Sequence, residues 1–297
     1  MKSVLRKIFT KEQRTWLYLF KEKILLGFSR FFAKALMLLL PRRILINVKK
    51  NLNLVEKLDY PKKDISLHID SDVEYLIRKN SCQKEPETVQ WIETHFSKGD
   101  VVYDIGANVG TYSLVASKYF DGQIKVYAFE PGFQNFYKLM DNIILNQCQE
   151  SVYGLSLALS DRTGLTRFNY SNLDFGGALH ALGESIDQKG NTFDPVLRQP
   201  VLAFALDDVV AQFSIEPPNH IKIDVDGLEL QILQGAKRVL SQRSLKSILV
   251  EIEERGDEHK IIDLIEKNGL KFQKKYKYTF GGNEASVKTY NYLFSRV

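Results

Sequence analysis

The sequence predicts an α/β fold: a doubly wound, mostly parallel sheet preceded by a helical extension. Three observations carry this. From about residue 85, short near-continuous apolar runs alternate with helix-length segments, as strands do when crossover helices bury both their faces. Several of these runs end in turns containing glycine, as at Gly106 and Gly132. Charge also divides the chain. Residues 1–58 hold fourteen Lys/Arg against three Glu, a local charge of +11, so a chain of net +5 has a body at −6.

At 297 residues, 44% apolar and 26% charged, the chain has ample material for a self-supporting core. That balance excludes a mainly disordered, collagen-like or multi-span membrane protein. The two cysteines, Cys82 and Cys148, lie far apart without a C-x-x-C. A disulfide scaffold and cysteine-ligated zinc are therefore excluded, and a reducing, cytoplasmic compartment is expected.

The basic front segment contains the longest apolar run, the seventeen residues from Ile24 to Leu40. This is the short end of a bilayer span, and Arg30 and Lys34 in its middle would each cost roughly 2.5–3.5 kcal/mol there. The run starts late and continues into Pro41-Arg42-Arg43, so a cleaved signal peptide is not expected either. Lys23, Gly27, Arg30 and Lys34 share one helix face, with Leu, Phe, Ile and Ala around the rest. Two readings follow. Residues 1–58 make a peripheral contact with an anionic membrane, at its inner face. Or the helix packs on the body or on a second subunit of a homo-oligomer. Nucleic acid is not expected as a partner, because the aromatics sit in the apolar arc and the body is acidic. The basic extension is placed at 1–84 and the α/β domain at 85–297.

Within the body, Val101-Val102-Tyr103-Asp104-Ile105 reads as the first core strand, and Thr111 to Tyr119 as a helix. Lys125-Val126-Tyr127-Ala128-Phe129 is the second strand, Asn135 to Asn146 a helix, and 152–159 the third strand. Residues 160–200 look less regular, with a glycine-rich loop at Asp174-Phe175-Gly176-Gly177. Ile221-Lys222-Ile223-Asp224-Val225 and 247–252 are the fourth and fifth strands, with helices predicted at 228–240 and 258–268. Residues 272–279 and 289–295 sit close enough to form an antiparallel edge hairpin. Ligands of such folds bind beyond the carboxyl ends of the strands, near the switch in strand order. That rule selects Asp104–Gly110, Glu130, Ala158–Asp161, Asp224–Glu229 and Glu251.

Two of these groups have definite chemistry. In Asp104-Ile-Gly106-Ala-Asn108-Val-Gly110 the glycines permit a tight turn, and Asn108 tolerates left-handed backbone. The spacing is not the G-x-G-x-x-G of a dinucleotide site, and Asp104 beside the loop suits an ammonium group better than a pyrophosphate. Glu130, at the next strand end, can accept from both hydroxyls of a ribose. A ligand with a cationic amino-acid end and a ribose but no phosphates fits both, as S-adenosylmethionine does.

The chain from about Val101 to Glu253 resembles the FkbM-type family of S-adenosylmethionine-dependent methyltransferases. The resemblance rests on Asp104 to Gly110, Phe129-Glu130-Pro131, Asn142-x-x-x-Asn146, Ala158-Leu-Ser-Asp161, Leu206-Asp-Asp208, Ile221-Lys-Ile-Asp224-Val-Asp226-Gly227-x-Glu229, Leu233-x-Gly235-Ala236 and Val250-Glu-Ile252. It implies a Rossmann-like, seven-stranded sheet and methylation of a hydroxyl on a sugar, glycan or related metabolite. It further implies that Asp104, Gly106, Asn108 and Gly110 hold the methionine part, Glu130 the ribose, and Ser160 and Asp161 the adenine. Asp224 and Asp226 would face the sulfonium and the acceptor, with Glu251 lining the pocket. The family often carries Glu where Asp226 stands.

An aliphatic hydroxyl must lose its proton as the new bond forms, so a general base, or a metal that acidifies the hydroxyl, is expected. Asp224 and Asp226 are candidates for base, for orienting the acceptor, or for oxygen ligation of a divalent ion; Asp226-Gly227 also suits a plain turn. Of the five histidines, only His180 lies in a loop placed to cover the pocket. No dedicated metal site is read from the sequence. Two rivals stand beside this reading: a membrane-attached, non-catalytic binding module, and a nicotinamide-dependent sugar-modifying enzyme. The latter would want G-x-G-x-x-G and a Tyr-x-x-x-Lys pair in the right region, and neither is there.

Overall fold

The structure is a computed structural model that describes residues 11–186, 190–253, 257–277 and 289–296. The chain forms two compact units, Met1–Asn53 and Leu54–Val297. In the first, one helix runs Lys11–Leu39 and a second Arg42–Asn51. Pro41 separates them, since proline has no N–H to continue the ladder, and its carbonyl accepts from Ile44 and Leu45 at 3.0 and 3.2 Å. No residue of the second helix is buried. On the first, Phe28, Phe31 and Leu38 are 68%, 71% and 87% exposed. Among the described residues, no helix is long and apolar enough to cross a membrane.

The second unit opens with an antiparallel hairpin, β1 (Val55–Lys57) and β2 (Ser66–His68). Asn142 and Asn146, one helical turn apart on the Phe133–Leu145 helix and its end, hold the backbone of β2. Asn142 Oδ1 accepts from His68 N at 2.9 Å. Asn146 accepts from Ser66 N at 2.9 Å and donates to Ser66 O at 2.7 Å. The N-x-x-x-N motif is thus an edge clamp.

The remaining strands are β3 (Val101–Ile105), β4 (Lys125–Phe129), β5 (Val152–Leu155), β6 (Ala158–Ser160), β7 (Gly164–Tyr170), β8 (Ala181–Leu182), β9 (Leu197–Ala205), β10 (His220–Ile223), β11 (Ser247–Glu253), β12 (Leu270–Lys277) and β13 (Thr289–Arg296). Seven form the main sheet in the order β12-β13-β11-β10-β3-β4-β5. The chain enters at β3, winds outward to β5 and returns to β10 on the other side of β3. The switch in strand order therefore lies between β3 and β10. The C-terminal hairpin sits at the sheet edge as expected. Its last strand, β13, inserts between β11 and β12 and runs antiparallel to both, so the outer strand β12 runs with the other five. Apolar side chains fill both faces: Leu114, Val126, Leu139 and Leu249 on one, Ile105, Ile221, Ile223 and Val250 on the other.

Two elements differ from the sequence reading. The predicted strand 152–159 is two strands, and β6 leaves the main sheet to join a four-stranded sheet of order β6-β9-β7-β8. Within it, β9 occupies part of the stretch read as irregular. Pro200 lies inside β9, and only its second half is regularly buried, so it carries little strand signal. The predicted helix 228–240 is two helices, Glu229–Gln234 and Lys237–Ser241. A Cβ on Gly235 would stand 2.2 Å from Ser160 O, so close packing on β6 requires glycine at the break. Asp207 then caps the second piece, accepting from the N–H groups of Arg238 and Val239, each at 2.9 Å. His220 is buried, with Nδ1 2.7 Å from Ser247 Oγ and Nε2 3.0 Å from Asp100 Oδ2, a structural position at the far end of its strand.

Candidate active site

The site grows from the Asp104–Gly110 turn between β3 and the Thr111–Tyr119 helix. Gly106 has φ +83°, and a Cβ there would lie 2.0 Å from the carbonyl oxygen of Asp224. Only glycine permits both the left-handed backbone and this approach. The turn therefore welds the end of β3 to the end of β10, and Asp104 and Asp224 become neighbours.

Three buried oxygens at this turn have no hydrogen-bond partner among the described residues: Asp104 Oδ1, Asn108 Oδ1 and Thr111 Oγ1. The other Asp104 oxygen accepts from Ser113 Oγ at 2.6 Å. A buried orphaned acceptor costs about 1–3 kcal/mol, and a cluster of three fits a ligand with several N–H donors. Glu130 lies beside them, also buried. Its Oε2 accepts from Asn108 N at 2.9 Å and its Oε1 from Gly132 N at 2.8 Å. Burial pushes its carboxyl up to about 7 against these two bonds. Each oxygen keeps a lone pair for a further donor.

Beyond β10 stand Asp224 and Asp226. Lys222, buried on β10, donates from Nζ to Asp224 Oδ2 at 2.6 Å. Burial alone would raise the Asp224 carboxyl, but the Lys222 ammonium, with Lys84 and Arg78 behind it, holds it below the ordinary carboxylate range. Asp226 goes the other way: burial, then the Asp224 charge, raises it to about 6. Glu229 and Glu251 are pushed well above their ordinary value, first by burial and then by these acidic neighbours.

A cleft of about 770 Å³ opens between the small sheet and the Asp226–Glu229 turn. Ser160 and Asp161, expected beside the adenine, line it together with Asp226 and Glu229. Asp104, Glu130 and Asp224 lie outside its lining. Among the described residues no group of three His, Cys, Asp or Glu is arranged to hold a metal ion.

The glycine-rich loop covers the site. Gly177 O accepts from Asn108 Nδ2 at 2.8 Å and from Asn135 Nδ2 at 3.0 Å. Gly176 O accepts from Arg78 Nη2 and Nε at 2.6 and 2.8 Å. Farther along, the backbone N–H of His180 donates to Asp226 Oδ2 at 3.1 Å. His180 thus meets Asp226 through its backbone. Its ring packs against Phe168 and Tyr170, and burial, then the Arg78 charge, lowers it to about 4, so it is neutral at neutral pH.

The structure brings Asp104, Gly106, Asn108, Gly110, Glu130 and Asp224 together at the switch point, with Asp226 and His180 beside them. Lys222, Arg78 and Asn135 join the site only in the folded structure. A lone lysine between isoleucines in a core strand was a signal: a buried cation there needs carboxylates. Arg78, over ninety residues from the loop it clamps, left none.

The profile of the Methyltransferase FkbM domain matches residues 104–274, beginning at Asp104 itself. The chain belongs to the FkbM methyltransferase family. Hexuronic acid methyltransferase AglP of Haloferax volcanii is 25% identical over 198 residues, which is 67% of this chain and 74% of that one. The 31-O-demethyl-FK506 methyltransferase FkbM of Streptomyces tacrolimicus is 28% identical over 159 residues, 47% of this chain and 60% of its own length. Among solved structures, methyltransferase FkbM from Methylobacillus flagellatus KT aligns with a TM-score of 0.44 and 16% identity over 66% of this chain and 44% of that one. The protein is a methyltransferase, and S-adenosylmethionine is its cofactor. The orphaned acceptors at the Asp104 turn and the two-oxygen presentation of Glu130 fit that molecule's ammonium and ribose.

Proposed function

We propose that the protein is an O-methyltransferase acting on a hydroxyl of a sugar, glycan or related metabolite. The observation that carries this is the meeting of two features at one turn. The cofactor-type loop abuts Asp224, and two residues on Asp226 faces a cleft large enough for a sugar. The relative named for hexuronic acid methylation supports a sugar acceptor.

In this reading Asp104, Asn108 and the Gly106–Gly110 backbone hold the amino-acid end of the cofactor, Glu130 holds the ribose, and Ser160 and Asp161, on the cleft wall, border the adenine. The cofactor supplies a methyl group already activated on a sulfonium. The protein aligns the acceptor oxygen with that methyl and removes the hydroxyl proton. The 171–180 loop, tied to Asn108, Asn135 and Asp226, excludes water from the reacting atoms. Calorimetry tests the cofactor half: S-adenosylhomocysteine should bind, and tight binding of NAD in its place would overturn the reading.

The same proposal places the enzyme at the cytoplasmic face of an anionic membrane. The front helices expose large apolar side chains alongside Lys23, Arg30, Lys34, Arg42, Arg43, Lys49 and Lys50, a pattern suited to acidic lipid headgroups. Full-length protein should float with vesicles containing phosphatidylglycerol and not with neutral ones, and Phe31→Glu/Phe32→Glu should abolish flotation. Flotation unchanged in that variant, or a stable dimer that masks the helix, would refute the membrane reading.

A further inference from the structure

Lys222 is the least expected residue of the site. It lies in the middle of the main sheet, on β10 opposite Asp104 of β3, between Ile221 and Ile223. Its side chain is 4% exposed, while that of its partner Asp224 is 32% exposed. The ammonium is therefore sealed below the site, and the carboxylate it holds reaches into it. The Tyr112 ring lies 5.0 Å from the ammonium. Asp224, Asp104 and Glu85 keep that cation protonated, overriding the burial that opposes it. A sealed ion pair of this kind is costly to build for stability alone.

Asp226 is set differently. It accepts from the backbone amides of Leu179 and His180, the latter at 3.1 Å to Oδ2, and it lines the acceptor cleft, which Asp224 does not. The charges acting on it are Asp224, Glu130 and Glu229 on the negative side and Arg78 on the positive. His180, neutral, packs next to it.

We propose that Lys222 is a positioning residue that divides labour between the two aspartates: it commits Asp224 to a fixed, ionised role and leaves Asp226 to take the acceptor proton. The inference rests on the hydroxyl-methylation reading above. As the oxygen–carbon bond forms from an oxygen lone pair, the carbon–sulfur pair departs with sulfur. The hydroxyl proton passes to an Asp226 carboxylate oxygen and then to water when the product leaves. Asp224, held by Lys222, keeps its negative charge at the cationic centre throughout. The His180 amide, donating to Oδ2 at 3.1 Å, holds the Asp226 carboxylate at the cleft wall.

The test uses full-length protein carrying ¹³C-carboxyl aspartate, saturated with S-adenosylhomocysteine, in NMR titrations. In the unsubstituted protein Asp224 titrates below the ordinary carboxylate range, and Asp226 titrates with a midpoint of about 6. In Lys222→Met the Asp224 midpoint rises by at least one pH unit, and Lys222→Arg keeps it low. In Asp224→Asn the Asp226 midpoint falls. Identical Asp224 titrations with Lys and Met at 222 overturn the proposal. Should the Met variant not fold, an unmoved Asp226 midpoint in Asp224→Asn overturns it.

Methyl glycosides of hexoses and hexuronic acids serve as probe acceptors for the second half. With S-adenosylmethionine held saturating at every pH, so that Glu130 protonation does not limit the rate, the acid limb of kcat/KM for the acceptor follows the Asp226 midpoint. Asp226→Asn loses at least a hundredfold in kcat and loses the limb, while its affinity for S-adenosylhomocysteine changes less than threefold. An unaltered acid limb in Asp226→Asn overturns its assignment as base. If label reaches no hydroxyl while the titrations behave as stated, the function reading fails and the base assignment falls with it. The Lys222–Asp224 assignment then stands on the titrations.

Discussion

Replacing Glu130 by Gln should weaken S-adenosylhomocysteine binding and remove most of its acid sensitivity. Both carboxylate oxygens are already engaged by backbone N–H groups, Asn108 N at 2.9 Å and Gly132 N at 2.8 Å, so the side chain is fixed before ligand arrives. A hydroxyl donating to a charged carboxylate contributes about 1.5–3 kcal/mol. Gln keeps one acceptor and turns an N–H₂ toward the other site. A loss of about 3 kcal/mol follows, or roughly a hundredfold in Kd. The pH dependence has a definite sign. With the carboxyl at about 7, the ionised form that binds ribose is nearly complete at pH 8. At pH 6 it falls to about a tenth, so affinity should drop roughly tenfold between the two. Because the folded value lies above the ordinary one, stability tied to this group runs the other way. It is fully present below pH ~4.5 and is lost as pH rises through about 7, at most about 3 kcal/mol. Calorimetric titrations from pH 6 to 8 on both proteins measure the effect. Parallel pH curves, or a variant within threefold of the unsubstituted protein at pH 8, would show that Glu130 does not hold the ribose.

Two glycine predictions test the frame behind the site. Gly106→Ala has no room, since its Cβ would stand 2.0 Å from Asp224 O at φ +83°. S-adenosylhomocysteine binding should fall at least a hundredfold in calorimetry, with stability in urea reduced by about 1–3 kcal/mol. Gly235→Ala meets Ser160 O at 2.2 Å with no strained φ, so it should cost a similar amount in urea, purely through the packing of the helix on β6. A wild-type urea midpoint for Gly235→Ala would show that the two elements separate freely.

The sheet was readable because its strands are buried on both faces and therefore almost purely apolar. Val101–Ile105, Lys125–Phe129 and the strand ending at Asp224 each stand out from their surroundings. That Gly106, Gly110 and Glu130 would meet at one edge of the sheet was readable for a related reason. Gly106, Gly110 and Glu130 sit at fixed offsets from strand ends, and those ends are where such a sheet binds ligands. The small sheet was hidden because its strands are short and one contains Pro200. Leu228 to Leu240 keeps helical periodicity straight through a break that only the contact between Gly235 and Ser160 explains. Arg78 and Asn135 act through the carbonyls and amide of the 171–180 loop, contacts without a residue-type pattern. Lys222 was visible, but its meaning depended on Asp104 and Asp224 being neighbours, which the fold supplies.

The central claim is transfer to oxygen on a sugar-type acceptor. The most direct measurement incubates full-length protein with methyl-labelled S-adenosylmethionine and a cell glycan and lipid extract, then locates the label by NMR of the isolated product. The expected product is an alkali-stable methyl ether on a sugar hydroxyl, absent with Asp226→Asn. Label on nitrogen, on carbon or in the nucleic acid fraction, or tight S-adenosylhomocysteine binding with no transfer to any hydroxyl, would contradict it.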